Sequence, residues 1–253
     1  MERMQDQQPA AAATRVAVVL ATYNERANLE RLLPELLALA LRPQVIVVDD
    51  GSPDGTAQVV REWTQREPER VTLIERPRKA GYGSAFVAGF RRALESDVDV
   101  VVSMDADYSH DPQSVPALVE RLAAGCDLAI GSRYVGGLRI LNWSMRRLLL
   151  SSCANQYVKL LLGFKVTDCT SGFRAYRAEG LRAIPLEQAH SQGYAFLVEL
   201  LEAVTRRRLT VAEVPIVYTE RREGHSKMSK RVIGEAVLRP WAILLARLGK
   251  AKA

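Results

Sequence analysis

The sequence predicts an α/β fold, a central and mostly parallel sheet flanked by helices, with amphipathic helices added in the C-terminal half. Short β-branched runs alternate with helix-length segments through the first half of the chain. Three of those runs end abruptly in polar or acidic residues, and a parallel sheet brings such ends to one edge, where open α/β sheets bind ligands.

The first run, Arg15 to Ala21, leads through Thr22-Tyr23-Asn24-Glu25 into a helix expected near 25–41. The second, near 44–49, drives Val45-Ile-Val-Val48 straight into Asp49 and Asp50. Four consecutive apolar residues of this kind read as a strand buried on both faces. Gly51 and Gly55 permit a tight turn before a helix near 56–67. A strand near 71–75 and a helix near 82–95 follow. The next strand, near 99–104, ends in Asp105 and Asp107, which lie two apart and point into one site if the chain stays extended. Asp111-Pro112 is a helix start, with Asp as N-cap and Pro at the first helical position, for a helix near 112–124. A strand near 126–131 closes the alternation. Beyond it come a helical segment near 142–163, a helix near 194–206, a strand near 209–217 and a basic loop at 221–230. A final helix near 231–248 is expected to be interrupted by Pro240.

Carboxylates at a buried strand end are costly unless donors or a metal meet them, so the three ends predict a polar site. By themselves Tyr23-Asn24-Glu25 and the Asp49-Asp50 turn could equally be helix caps, and an isolated Asp-x-Asp is weak evidence of a metal.

At 253 residues, 48% hydrophobic and 25% charged, the chain has the composition of a soluble globular protein with a sizeable core. The expected organisation is a disordered tail over 1–14, one domain over 15–235, and a C-terminal helix or tail over 236–253. Neither a secretory signal nor a run of about 18 apolar residues able to cross a membrane is evident. Three cysteines without CxxC spacing read as free thiols rather than a disulfide or zinc site. Residues 1–132 carry 14 Lys+Arg against 20 Asp+Glu, and residues 133–253 carry 21 against 9. The basic half calls for an anionic partner. No nucleic-acid motif is present, so a phosphorylated substrate or an anionic membrane surface fits better.

Thr22-Tyr-Asn-Glu25, Asp49-Asp-Gly-Ser-Pro-Asp-Gly-Thr56, Asp105-Ala-Asp107, Gly131-Ser-Arg-Tyr134, Thr170-Ser-Gly-Phe-Arg174 and Arg221-x-x-Gly-x-Ser-Lys227 resemble, in this order, motifs of the dolichol-phosphate (polyprenol-phosphate) mannosyltransferases. Those are inverting GT-A glycosyltransferases of family 2. The resemblance runs from about residue 15 to about 235 and implies a GT-A, Rossmann-like sheet. It implies transfer of mannose from GDP-mannose to a polyprenyl phosphate with Mg²⁺ or Mn²⁺, by an enzyme peripheral to the cytoplasmic face of a membrane. A membrane-anchoring subunit or an acyltransferase-type membrane partner would accompany it.

Residue by residue, the resemblance places Ala21, Tyr23, Glu25, Val48, Asp49, Asp50, Asp105, Ala106, Asp107, Arg221 and Lys227 around the donor. The catalytic set is Asp105, Asp107, Arg133, Arg221 and Lys227. Arg133, Arg147, Ser151 and Arg174 would meet the acceptor phosphate, and Asp107 with Ser109 the metal. Ala21 stands where relatives often have Pro, and Ser109 where they can have a Gln on the metal. His110, next to Ser109, is expected at the helix start. The loop 221–229 reads as a lid over the donor. Arg147, Ser151, Asn155 and Lys159 recur every four residues and predict one polar stripe on an interfacial helix over about 141–163, with Trp143 and leucines around the rest. A core helix packed on the sheet is the competing reading. Two other functions stay open: a polyprenyl-phosphate glucosyltransferase using UDP-glucose, and a non-catalytic sugar-nucleotide-binding partner.

Overall fold

The computed structural model describes residues 14–189, 191, 193–219 and 230–250. The tail over 1–13, Arg221, Lys227 and the expected lid over 221–229 lie outside the described residues.

Seven strands form one sheet in the order β3-β2-β1-β4-β7-β5-β8: β1 (Val16–Thr22), β2 (Gln44–Asp49), β3 (Val71–Glu75), β4 (Val100–Asp105), β5 (Leu128–Ser132), β7 (Arg174–Arg177) and β8 (Val211–Pro215). All but β7 run parallel, and β7 lies antiparallel between β4 and β5. A second, two-stranded ladder pairs β6 (Ile140–Leu141) with β9 (Tyr218–Thr219). The helices are α1 (Arg26–Leu37), α2 (Thr56–Arg66), α3 (Tyr82–Leu94), α4 (Val115–Ala123), α5 (Met145–Leu162), α6 (Ala178–Arg182), α7 (Gly193–Arg206) and α8 (Lys230–Lys250).

Strand alternation divides the core between the two faces. Ala17, Val19, Ile46 and Val101 pack with Phe86 and Phe90 of α3, Val158 and Leu162 of α5, and Phe196 and Leu200 of α7. Val18, Leu20, Val45, Val47 and Val102 pack with Leu29, Leu32 and Leu36 of α1, Val60 of α2 and Leu118 of α4. The two layers fix the parallel strands in register, so Thr22, Asp49 and Asp105 finish at the same edge.

The C-terminal helix differs from expectation. α8 runs through Pro240 without a break. A proline inside a helix removes a backbone donor, which neighbours must offset. Here the helix is held from outside: Tyr157 of α5 donates its hydroxyl to the Val237 carbonyl three residues before the proline (2.7 Å), and Arg239 and Arg247 form ion pairs with Glu199 and Glu202 of α7. Tertiary contacts hold the helix where local propensity argues against it.

α3 crosses β1 and β2 closely because residue 89 is glycine. A Cβ there would overlap Val19 Cγ1 and lie 3.2 Å from Val48 Cγ2. Gly89→Ala is therefore expected to destabilise the fold by about 1–3 kcal/mol through overpacking. A urea denaturation curve superimposable on wild type would show that α3 can retreat without cost.

Candidate active site

Two loops at the carboxyl edge carry residues in the left-handed region: Asn24 (φ 59°) after β1 and Tyr108 (φ 59°) after β4. Non-glycine residues there are uncommon and concentrate where tertiary structure overrides local preference. Asn24 is held by its amide, which donates to Ser52 Oγ (2.9 Å), and Tyr108 by its hydroxyl, which donates to Glu35 (2.9 Å).

The structure uses the Asp49–Asp50 pair as scaffold. Asp49, buried, accepts from Thr22 Oγ1 (3.0 Å), Ser52 N (2.9 Å) and Ser52 Oγ (2.5 Å), tying β1 to the turn after β2. Asp50 takes Arg76 Nε (2.5 Å) on one oxygen and the amides of Ala80 (3.1 Å) and Gly81 (3.2 Å) on the other. Both carboxylates are thus committed to neighbours in this structure. The Val48 side chain is also fully buried, so this residue meets a ligand only through its backbone. Tyr23 and Glu25 sit at the rim, half-buried. Lys79 Nζ lies 4.4 Å from the Tyr23 ring centroid, and Glu25 accepts from Asn28 Nδ2 (2.8 Å). At the α1 N-terminus Glu25 makes no capping bond of its own, and the Arg26 amide donates instead to Asp54 of the turn after β2 (3.1 Å). Ala21 lies half-buried at the end of β1.

Asp105 is flanked by two rings. Tyr82 of α3 donates its hydroxyl to Oδ1 (3.1 Å), and His110 Nδ1 accepts the Asp105 amide (3.2 Å). His110 is buried against Phe173, ring centroids 4.9 Å apart, and burial holds its pKa below the ordinary imidazole value despite Asp105 and Asp107 nearby. It is a neutral structural group whose Nδ1 is already used. Ala106 is buried, and Asp107 turns back to accept the Ser109 amide (3.1 Å). Ser109 Oγ is buried with no hydrogen-bond partner among the described residues, the Tyr218 phenol lying beside it.

This set fits a Mg²⁺- or Mn²⁺-type ion. An orphaned hydroxyl oxygen next to a buried carboxylate is a ready acceptor environment for a hard cation. Among the described residues no group of three or more His, Cys, Asp or Glu gathers to form an all-protein cage. Magnesium in particular is commonly held by one or two carboxylates together with substrate phosphates.

On the other side of β4 the edge becomes cationic. Arg133, just after β5, forms a buried bidentate pair with Asp168 (Nε–Oδ2 2.7 Å, Nη2–Oδ1 2.6 Å) and donates to Thr170 Oγ1 (2.8 Å). Burial alone would raise the Asp168 pKa, but the charge and hydrogen bonds of Arg133 outweigh it and hold it below the usual carboxylate value. The Arg133 guanidinium lies 5.4–5.8 Å from the centroids of Tyr134, Trp143 and Tyr218. Its Nε and Nη2 donors are therefore engaged by Asp168 and Thr170. Arg174 is fully buried and donates to the carbonyls of Ser171 (2.8 Å), Leu197 (2.9 Å) and Cys169 (2.9 Å). With these donors spent on carbonyls, Arg174 stands as an internal strut between the loop before β7 and α7.

Arg147 does reach the rim, 4.3 Å over the Trp143 ring, and Ser151 Oγ bonds the Tyr134 hydroxyl (2.8 Å). One turn further, Asn155 accepts the Cys169 amide (2.8 Å) and donates to Thr170 Oγ1 (3.2 Å). The polar stripe of α5 thus faces the protein at Ser151 and Asn155, while Met145 (68% exposed), Leu149 (57%) and Leu160 (81%) face solvent. The stripe predicted from the four-residue spacing therefore lies against the protein at Ser151 and Asn155, with leucines on the outer face. Asp168, Asn155, Tyr82, Trp143 and Tyr218 were not assigned to the site from sequence. Only the Thr170-to-Arg174 motif next to Asp168 flagged its neighbourhood.

Asp168→Asn would leave a buried guanidinium without its counter-charge and is expected to cost about 3–5 kcal/mol in a urea titration, whereas a change under about 1 kcal/mol would show that the pair is not a structural anchor.

Comparison with known proteins agrees with this geometry. Residues 17–184, more than half of the chain, match the profile of the family described as glycosyl transferase family 2. Polyprenol monophosphomannose synthase of Mycolicibacterium smegmatis is 44% identical, over 94% of this chain and 90% of that protein. Undecaprenyl-phosphate mannosyltransferase of Micrococcus luteus is 42% identical, over 93% of this chain and 99% of that protein. Among solved structures, glucosyl-3-phosphoglycerate synthase of Mycobacterium tuberculosis, in complex with Mn²⁺, UDP-glucose and phosphoglyceric acid, superimposes with a TM-score of 0.66 at 25% identity, covering 94% of this chain and 81% of that one. By fold, motif order and these relatives, the chain belongs to glycosyl transferase family 2, among its polyprenyl-phosphate mannosyltransferases.

Proposed function

We propose that this protein transfers mannose from GDP-mannose to the phosphate of a polyprenyl phosphate, with inversion, at a membrane surface. The observation that carries the acceptor is the orientation of α5, polar toward the catalytic edge and apolar toward solvent. α8 packs beside it and extends the exposed apolar strip with Leu238 (70% exposed), Leu245 (64%) and Trp241 (49%). Among the described residues no helix is long and apolar enough to cross a membrane. A strip of this kind beside a cationic edge suits a substrate with an anionic head and a hydrocarbon tail, presented by a bilayer that the enzyme touches from its cytoplasmic side. A membrane-anchoring subunit would use the same face.

The acceptor oxygen is anionic near neutral pH, so the reaction needs orientation more than a strong base. That oxygen attacks the anomeric carbon while the bond to the GDP diphosphate breaks on the opposite face. Arg147 and Ser151 would hold the acceptor phosphate, with Arg133 contributing its charge from behind the rim. Tyr23 and Glu25 would take the nucleoside, Asp105 the sugar-nucleotide side, and Asp107 with Ser109 the metal. Held by Asp107 and Ser109, a divalent cation would supply positive charge to neutralise the diphosphate leaving group. Arg221 and Lys227 would complete the donor pocket.

The testing experiment is transfer of labelled sugar from GDP-mannose, and separately UDP-glucose, to a polyprenyl phosphate in detergent with Mg²⁺ or Mn²⁺. Lipid-extractable product from GDP-mannose alone is expected. Product from UDP-glucose alone would overturn the donor, and no product from either would overturn the activity. In the same assay Asp107→Ala is expected to lower turnover by about a thousand-fold or more with the fold intact by circular dichroism. Arg147→Ala is expected to raise the acceptor KM about ten-fold and leave the donor KM near wild type. An unchanged acceptor KM would remove Arg147 from the acceptor site.

A further inference from the structure

We infer that Tyr82 is a positioning residue that sets the Asp105 carboxylate for the donor, an inference that rests on the glycosyl-transfer reading above. Tyr82 opens α3 directly after Gly81, whose amide is held by Asp50 at the end of β2 (3.2 Å). Its ring is then locked by Phe86 (centroids 4.8 Å) and by the edge of Phe196 (6.4 Å). That framework delivers one phenolic hydroxyl to Asp105 Oδ1 at 3.1 Å.

The space around the hydroxyl is reserved for it. At Gly172 a Cβ would overlap the Tyr82 oxygen and stand 3.6 Å from Asp105 Oδ1. The loop before β7 therefore carries no side chain where the phenol meets the carboxylate. On the opposite flank His110 Nδ1 stands 3.9 Å from Asp105 Oδ2, but that nitrogen accepts the Asp105 amide. Of the two flanking rings, only the phenol donates to the carboxylate. A hydrogen bond held on one carboxylate oxygen restricts rotation about the Cβ–Cγ bond and so fixes the direction of the whole group. Phenylalanine would pack equally well here, so the hydroxyl serves Asp105 rather than the core.

Tyr82→Phe deletes that one oxygen and keeps the ring. GDP-mannose and UDP-glucose are titrated by calorimetry into wild type and variant with Mn²⁺ and no acceptor, alongside thermal melts and steady-state transfer. The expected result is a melt within a few degrees of wild type, donor Kd weakened about ten-fold, the usual weight of a hydrogen bond to an ionised group, and acceptor KM within about two-fold. Gly172→Ala, which displaces the phenol without deleting it, should give the same split. Donor Kd and turnover equal to wild type in Tyr82→Phe, or losses in donor and acceptor parameters alike that track a lowered melt, would overturn the inference. A wild-type chain that binds a donor but transfers no sugar would sink the functional reading alone, and the donor Kd of Tyr82→Phe would still decide the role of the phenol.

Discussion

The buried pair of Arg133 and Asp168 is the constraint on which the cationic half of the site depends. Four elements meet at it. Arg133 leaves β5, and Glu213 of β8 accepts the amides of Thr167 (2.8 Å) and Asp168 (3.0 Å). Asn155 of α5 accepts the amide of Cys169, the residue that follows (2.8 Å). Desolvating both charges offsets much of their attraction, so the pair serves less as net stability than as a fixed geometry that tolerates no partial assembly. Its sign with pH follows from the depressed carboxylate. The contribution is complete above the ordinary carboxylate pKa and fades as pH falls through the lower folded value.

Through that pair the orientation of α5 becomes part of the catalytic geometry. Asn155 cannot reach Cys169 and Thr170 unless the polar stripe faces inward, and Leu149 and Leu160 are then left outward. The acidic and basic halves of the sequence, far apart in charge, fold onto adjacent sections of a single edge. An aromatic wall joins them. His110 contacts Tyr218 edge-on (5.6 Å), Tyr218 contacts Trp143 (5.3 Å), and Trp143 supports Arg147. Burial pushes the Tyr218 phenol up to about 12, so this wall stays uncharged between carboxylates and guanidinium groups.

The parallel strands that carry the site were legible because each is a continuous apolar run with a polar end, as in β1, β2 and β4. β7 was not. Arg174-Ala-Tyr-Arg177 is four residues long with an arginine at either end, and its burial depends on carbonyls that only the folded loop supplies. Periodicity showed that α5 has a polar stripe but not which way it points, since a stripe can face water or a buried hydrogen-bond network equally well. Asp49 and Asp50 were legible as strand-end acids, but what each carboxylate meets depends on groups remote in sequence, here Thr22 for Asp49 and Arg76 with Ala80–Gly81 for Asp50. The motif order identified the family. Of the residues that support those motifs, Asn155 belongs to the α5 stripe, while Asp168 and Tyr82 carry no periodic or compositional signal.

The claim that ties fold to function is that the outward face of α5 meets lipid while its inward face holds the site. Co-sedimentation with vesicles containing anionic lipid, comparing wild type with Leu149→Asp/Leu160→Asp, tests it most directly. Wild type should pellet with the vesicles, and the variant should remain in the supernatant while binding donor as tightly as wild type. A variant that pellets as fully as wild type would contradict the orientation of α5 as the membrane-facing surface.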